Sequence, residues 1–166
     1  MPREASESDD EIVERPPRES RVVIVVGEQP PQLADPGAEP LRGQSGDRLA
    51  EWAGVQVTDF FSAIEAINLV DSYSQRWPIE EARARAAEIL AIARGEGWAI
   101  ATLGSRVAAA FSFDPPPEHV HHWFEESGGA KVACAAHPSG KSRYWNLAKN
   151  VAAARRFWSH VYRMAA

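Results

Sequence analysis

Cysteine is nearly missing from this chain: Cys134 is the only one. That excludes an intramolecular disulfide framework, a cysteine-rich zinc site and a cysteine-ligated iron–sulfur cluster. Long apolar runs are missing too, so no segment reads as a membrane span. The first residues are polar and acidic, which is not the pattern of a signal peptide. A cytoplasmic protein without membrane association is the expectation. Acid is missing from one region. From His137 to Ala166 there is no Asp or Glu, while Lys141, Arg143, Lys149, Arg155, Arg156 and Arg163 all lie there. The net charge of −5 therefore hides a basic end piece. Such a piece suits a polyanion, or else the solvated face of a helix.

A length of 166 residues with 45% hydrophobic content fits one domain with a real core. Residues 1–20 hold seven acids and few apolar side chains. They cannot bury enough surface to offset ordering entropy, and a disordered acidic tail is expected there. Residues 21–166 form the expected folded domain.

Arg21–Val26, "RVVIVV", is a continuous β-branched run, the mark of a strand buried on both faces. Ser45–Gly54 reads as a short helix with Leu49, Trp52 and Ala53 as its packing face. Thr58–Ala63 reads as a helical turn or short helix, and Glu65–Val70 as a second strand. Pro78 and the acids Glu80 and Glu81 open a long helix that Gly95 is expected to stop. Trp98–Gly104 is a third strand, and "SRVAAAFSF" a helix after it. "HHWFEESGGA" reads as a loop or edge segment. "KVACAA" is the fourth strand, and a last helix follows with Asn146 as its expected cap. This alternation predicts an α/β fold: a central, mainly parallel four-stranded sheet with helices on both faces.

Sheets of that kind place ligands beyond the carboxyl ends of their strands. The expected strand ends carry Glu28, Asn68 and His137. A carboxylate can position or deprotonate water. A carboxamide offers both a donor and an acceptor to a pyrimidine edge. A neutral imidazole can donate to a developing anion. Each has a plainer reading. Glu28 can cap the next helix, Asn68 can bond its own backbone, and His137-Pro138 can be a turn with a satisfied imidazole. "EHVHHWF" places histidines at 119, 121 and 122, but their spacing matches no recognised metal site. A surface loop with Trp123 packed inward is expected there, and no metal.

Three stretches, "VVIVVGEQPP", "PLRGQSGDRL" and "HPSGKSRYWN", together resemble the uracil-DNA glycosylase superfamily, in a compact phage- or bacterium-type branch without iron–sulfur cysteines. The resemblance spans roughly residues 21–160. It implies a three-layer α/β/α sandwich and hydrolysis of the N-glycosidic bond of a flipped uracil or modified pyrimidine in DNA. By that resemblance Glu28 orients the water and His137 stabilises the leaving base. Gln29, Pro30, Leu41 and Asn68 border the base. Pro138, Ser139, Gly140, Lys141 and Arg143 meet the DNA. The implied partner is DNA, the cofactor none, and the state a monomer. The chain departs from the pattern twice. Leu41 stands where relatives stack an aromatic ring, leaving Phe60, Phe61 or Tyr73 as candidates for that ring, and Pro31 stands where glycine is usual. The base stays open between uracil, a modified pyrimidine and another base, and a catalytically silent DNA- or nucleotide-binding descendant is the alternative.

Overall fold

The computed structural model describes residues 21–34, 37–139 and 143–166. The expected acidic tail, residues 1–20, lies outside the described residues.

The chain runs β1 (Val23–Gly27), α1 (Gln44–Ala53), α2 (Val57–Ala63), β2 (Glu65–Asn68), α3 (Ile79–Glu96), β3 (Ala99–Leu103), α4 (Ser105–Ala110), β4 (Trp123–Glu125), β5 (Lys131–Ala135) and α5 (Ala148–Ala165). The strands lie in the order β2-β1-β3-β5-β4. The first four in that order are parallel, and β4 runs antiparallel to β5 at the edge. The chain is thus an α/β protein with a mixed, mainly parallel sheet.

Alternation along each strand sorts the apolar side chains into two cores. Val23 and Val25 of β1 face one way, with Leu49 and Trp52 of α1, Phe60 of α2, and Phe157 and Trp158 of α5. Ile24 and Val26 face the other way, with Ala82, Ala86 and Ile89 of α3 and Val107 of α4. Both β1 and β3 are buried along their whole length, as a strand covered on both faces must be. Helices therefore cover both faces.

The sheet has five strands, not the four expected. The extra one is the segment read as a loop or edge. Its three residues are too few for a period-two pattern to register. Two backbone bonds bracket it: His121 N–H to the Cys134 carbonyl at 2.8 Å, and Glu126 N–H to the Ala130 carbonyl at 2.8 Å. Helix limits moved as well. Gly95 stays helical, and α3 ends one turn-residue later, where Gly97 takes the left-handed conformation at φ 69°. Asn146 does not cap α5. It closes a 3₁₀ turn over Arg143–Asn146, and Leu147 precedes the helix. The Asn150 side chain instead donates to the Tyr144 carbonyl at 2.7 Å.

No helix of the described residues is long and apolar enough to cross a membrane.

Candidate active site

Parallel register brings the carboxyl ends of β2, β1, β3 and β5 side by side, each about 4.8 Å from the next. Glu28 follows β1, Gly104 follows β3, and His137 lies two residues past β5. Pairing extends beyond the strands themselves. Leu69 N–H bonds the Gly27 carbonyl at 2.9 Å, Val70 N–H bonds the Glu28 carbonyl at 3.0 Å, and Gly104 N–H bonds the Ala135 carbonyl at 2.8 Å. The backbone at this rim is therefore held as firmly as a strand.

Two glycines keep the rim open. Gly104 has φ 88°, and a Cβ there would stand 3.6 Å from the Cβ of His137. The imidazole thus lies over the end of the middle strand. At Gly27 a Cβ would fall 2.7 Å from Leu41 Cδ2 and 3.3 Å from Asn68 Oδ1. Leu41 and Asn68 meet there because residue 27 has no side chain. Leu41 itself holds a left-handed φ of 61°. A leucine is rarely placed so, and the strain is of order 1–3 kcal/mol.

His137 is the most constrained of the expected residues. Ser139 N–H donates to its Nδ1 at 3.1 Å, and its carbonyl accepts from Trp145 Nε1 at 3.1 Å. With Nδ1 accepting, the neutral ring carries its proton on Nε2. Burial pushes the pKa of His137 down, against the opposing pull of the Glu28 charge. The ring is therefore neutral at physiological pH and has one N–H to give.

The turn after His137 is held from helix α1. Arg48 Nη1 donates to the Pro138 carbonyl at 2.6 Å, and its guanidinium lies 6.0 Å over the Trp52 ring. Trp52 in turn packs on Trp145 at 4.5 Å. Pro138 is buried and Ser139 half-buried. Sequence reasoning missed Arg48, and it placed Trp52 only on the packing face of α1. Arg48 lies inside the "PLRGQSGDRL" stretch, but nothing local pairs it with a carbonyl 90 residues away.

The other expected residues take distinct places. Glu28 is half-buried, with its carboxylate 3.6 Å from Arg106 Nη1 at the start of α4. Side-chain exposures of 29% and 57% make this a weak ion pair. Arg106 was also missed, since a lone arginine on a short helix carries no signal. Gln29 spends both ends of its amide on one residue. Its Nε2 donates to the Ser74 carbonyl and its Oε1 accepts from Ser74 N–H, each at 3.1 Å. It pins the loop after β2. Pro30 and Asn68 border a cavity of about 450 Å³, with Tyr73 and Arg85 across it. Arg143 is exposed on the 3₁₀ turn. Gly140 and Lys141 lie outside the described residues. Of the rings considered beside Leu41, Phe60 is fully buried in the core. The guanidinium of Arg42 lies 3.9 Å over Phe61. Tyr73, on the cavity wall, is 41% exposed.

One histidine of the "EHVHHWF" stretch is far from a surface residue. His121 is only 9% exposed, at φ 66°. Its Nε2 accepts from Ala136 N–H at 3.2 Å, and its Nδ1 meets the Tyr144 hydroxyl at 3.1 Å. It thereby ties the residue before His137 to the 3₁₀ turn. Among the described residues, no group of three His, Cys, Asp or Glu side chains is placed to hold a metal ion. Cys134 is buried, and burial pushes its thiol pKa up, which works against a thiolate nucleophile.

Neither a protein-family model nor a curated protein matches this chain. What fold and site define is an α/β protein whose parallel strands end in a polar rim. A carboxamide and a carboxylate stand there at the neighbouring ends of β2 and β1, and a neutral imidazole stands past β5, with the end of β3 between.

Proposed function

We propose that the chain is a DNA base glycosylase with a uracil-DNA glycosylase-like three-layer fold. It hydrolyses the N-glycosidic bond of a flipped uracil or modified pyrimidine. One observation carries the reading: Ser139 N–H on Nδ1 makes His137 a neutral donor through Nε2, near enough to Glu28 to feel its charge. The resemblance of "GEQPP" and "HPSG" to the superfamily's motifs supports it.

The chemistry follows from that pair. Breaking the bond between base and sugar leaves electrons on the base and an oxocarbenium-like sugar. Nε2–H of His137 donates to a base carbonyl as negative charge gathers on it. A neutral donor serves here because it stabilises the anion without first protonating the base. Glu28 holds a water for attack on the sugar carbon and takes up its proton. Asn68 reads the pyrimidine edge, and Leu41 covers the ring. Extruding the base costs a few kcal/mol, which contacts along the backbone offset.

The test is a panel of oligonucleotides carrying uracil or modified pyrimidines, treated with protein and then alkali. The expected result is strand breaks for at least one base. His137→Ala is expected to slow release by on the order of 100-fold, about 3 kcal/mol of barrier, with an unchanged circular dichroism spectrum. Undiminished release by that variant removes His137 from the mechanism. Salt-sensitive DNA binding without an abasic product for any base assigns the chain to the silent, binding-only alternative.

A further inference from the structure

The far edge of the sheet carries a second cavity that the chemistry above does not use. It holds about 270 Å³ between β4 and α5. Its floor is aromatic: Trp123 stacks on Phe157 with ring centroids 5.2 Å apart. Its rim carries Arg156, His122 and His160, and no acid among the described residues lines it. Two acids near it in sequence are engaged elsewhere, and Glu118 is exposed on the 3₁₀ turn before it. Glu125 pairs with Lys131 at 3.3 Å, and Glu126 with Arg94 at 2.9 Å. Arg156 has no acid partner among the described residues. Trp123 Nε1 is buried without a hydrogen-bond partner. The His122 ring carries an N–H in either protonation state. A concave site with several donors and no acceptor charge suits an anion.

The cavity also continues two other features. On α5, Lys149, Ala153, Arg156, His160 and Arg163 follow at intervals of four, three, four and three residues. That spacing sets them in one line on the helix, opposite the buried Ala154, Trp158 and Val161. The line begins beside the Arg143–Asn146 turn, and Lys149 lies about 10 Å along the axis from Arg156. His121 forms part of the cavity wall and bonds Ala136 and Tyr144, so the cavity backs directly onto the loop bearing His137.

We infer that the β4–α5 edge is a phosphate-binding site that grips a phosphodiester of the nucleic-acid strand held at the strand ends. Arg156 and His122 supply the grip, and Lys149 leads the backbone toward the rim. This rests on the DNA-directed reading above, but its test needs no base to be released.

The test measures fluorescence anisotropy of a labelled single-stranded oligonucleotide of unmodified bases across a salt series, using the full chain. Arg156→Ala is expected to weaken binding about three- to tenfold whatever the sequence, and to flatten the log–log salt slope by about 0.7. Arg156→Glu is expected to weaken it further. Arg83→Ala, on α3 across the sheet, is the charge-matched control and is expected to leave affinity and slope unchanged. In parallel, the His122 and His160 ring resonances are expected to shift on adding the oligonucleotide. Unchanged affinity and slope in both Arg156 variants overturn the inference, as does an equal loss in Arg83→Ala. Inorganic phosphate moving the histidine resonances while both Arg156 variants bind DNA normally assigns the cavity to free phosphate and also overturns it. A protein that excises no base yet loses DNA affinity with Arg156 sinks the glycosylase reading alone.

Discussion

Acid should unlock this protein through a single buried ring. His121 Nε2 accepts from Ala136 N–H, so its proton sits on Nδ1 and is given to the Tyr144 oxygen. Phe157 and Trp145 pack around the ring at 5.3 and 6.3 Å. Burial first, and the neighbouring His122 second, push its pKa from 6.5 to about 4. The unfolded chain takes up a proton near pH 6.5, and the folded one refuses it until about pH 4. The stability associated with a neutral His121 is therefore complete above pH 6.5 and drains away between 6.5 and about 4. At 1.36 kcal/mol per pH unit across that gap, the loss is about 3 kcal/mol. Urea unfolding of the wild type and of His121→Asn, from pH 7.5 to 4, isolates this contribution, since all other titrating groups are shared. Asparagine keeps polarity at the site but does not titrate. The wild-type advantage is expected to shrink by about 3 kcal/mol as the pH falls. A difference between the two proteins that stays constant with pH would refute the reasoning. It would mean that the ring accepts its proton without leaving its pocket.

The remaining predictions concern the supports of the rim. Arg48→Ala strips the Pro138 carbonyl of a charged donor and is expected to cost about 1.5–3 kcal/mol in urea unfolding. It is also expected to speed hydrogen exchange at Ser139 N–H, which an effect confined to α1 would not do. Gly46→Ala places a Cβ 2.1 Å from the Leu41 carbonyl oxygen and 2.8 Å from Phe61 Cζ. Backbone must move, so a loss of roughly 2–3 kcal/mol is expected by thermal unfolding. Gly27→Ala meets only the end of the Leu41 side chain at 2.7 Å and Asn68 at 3.3 Å. Stability is expected to change by less than about 1.5 kcal/mol, while base release falls sharply because the displaced leucine fills the space over β1. Equal release by wild type and Gly27→Ala would remove that space from the site.

Several elements were legible because their cause is local. The β-branched run of β1 and the apolar stripe of α3 act within a few residues. Alternating strands and helices carried the parallel topology with them. Where two glycines compete to end a helix, as at Gly95 and Gly97, pattern does not choose between them. The tertiary structure did, with the Gly97 N–H reaching the Ala93 carbonyl. The site shows the same division. Glu28, Asn68 and His137 were readable as strand-end residues because strand ends are local features. Their supports were not. Arg48 finds Pro138 across 90 residues, and Gln29 finds Ser74 across 45.

By itself, the sequence determined the helices, the four parallel strands, and which polar residues would stand at the strand ends. Backbone preference and hydrophobic period act between near neighbours, so a short window contains them. Only the tertiary structure decided that Trp123–Glu125 joins the sheet, that His121 is buried and neutral, and that Gln29 serves a loop. Those outcomes depend on which strand lies beside which. A polar group's partner, and the cost of burying it, exist only once distant segments have met.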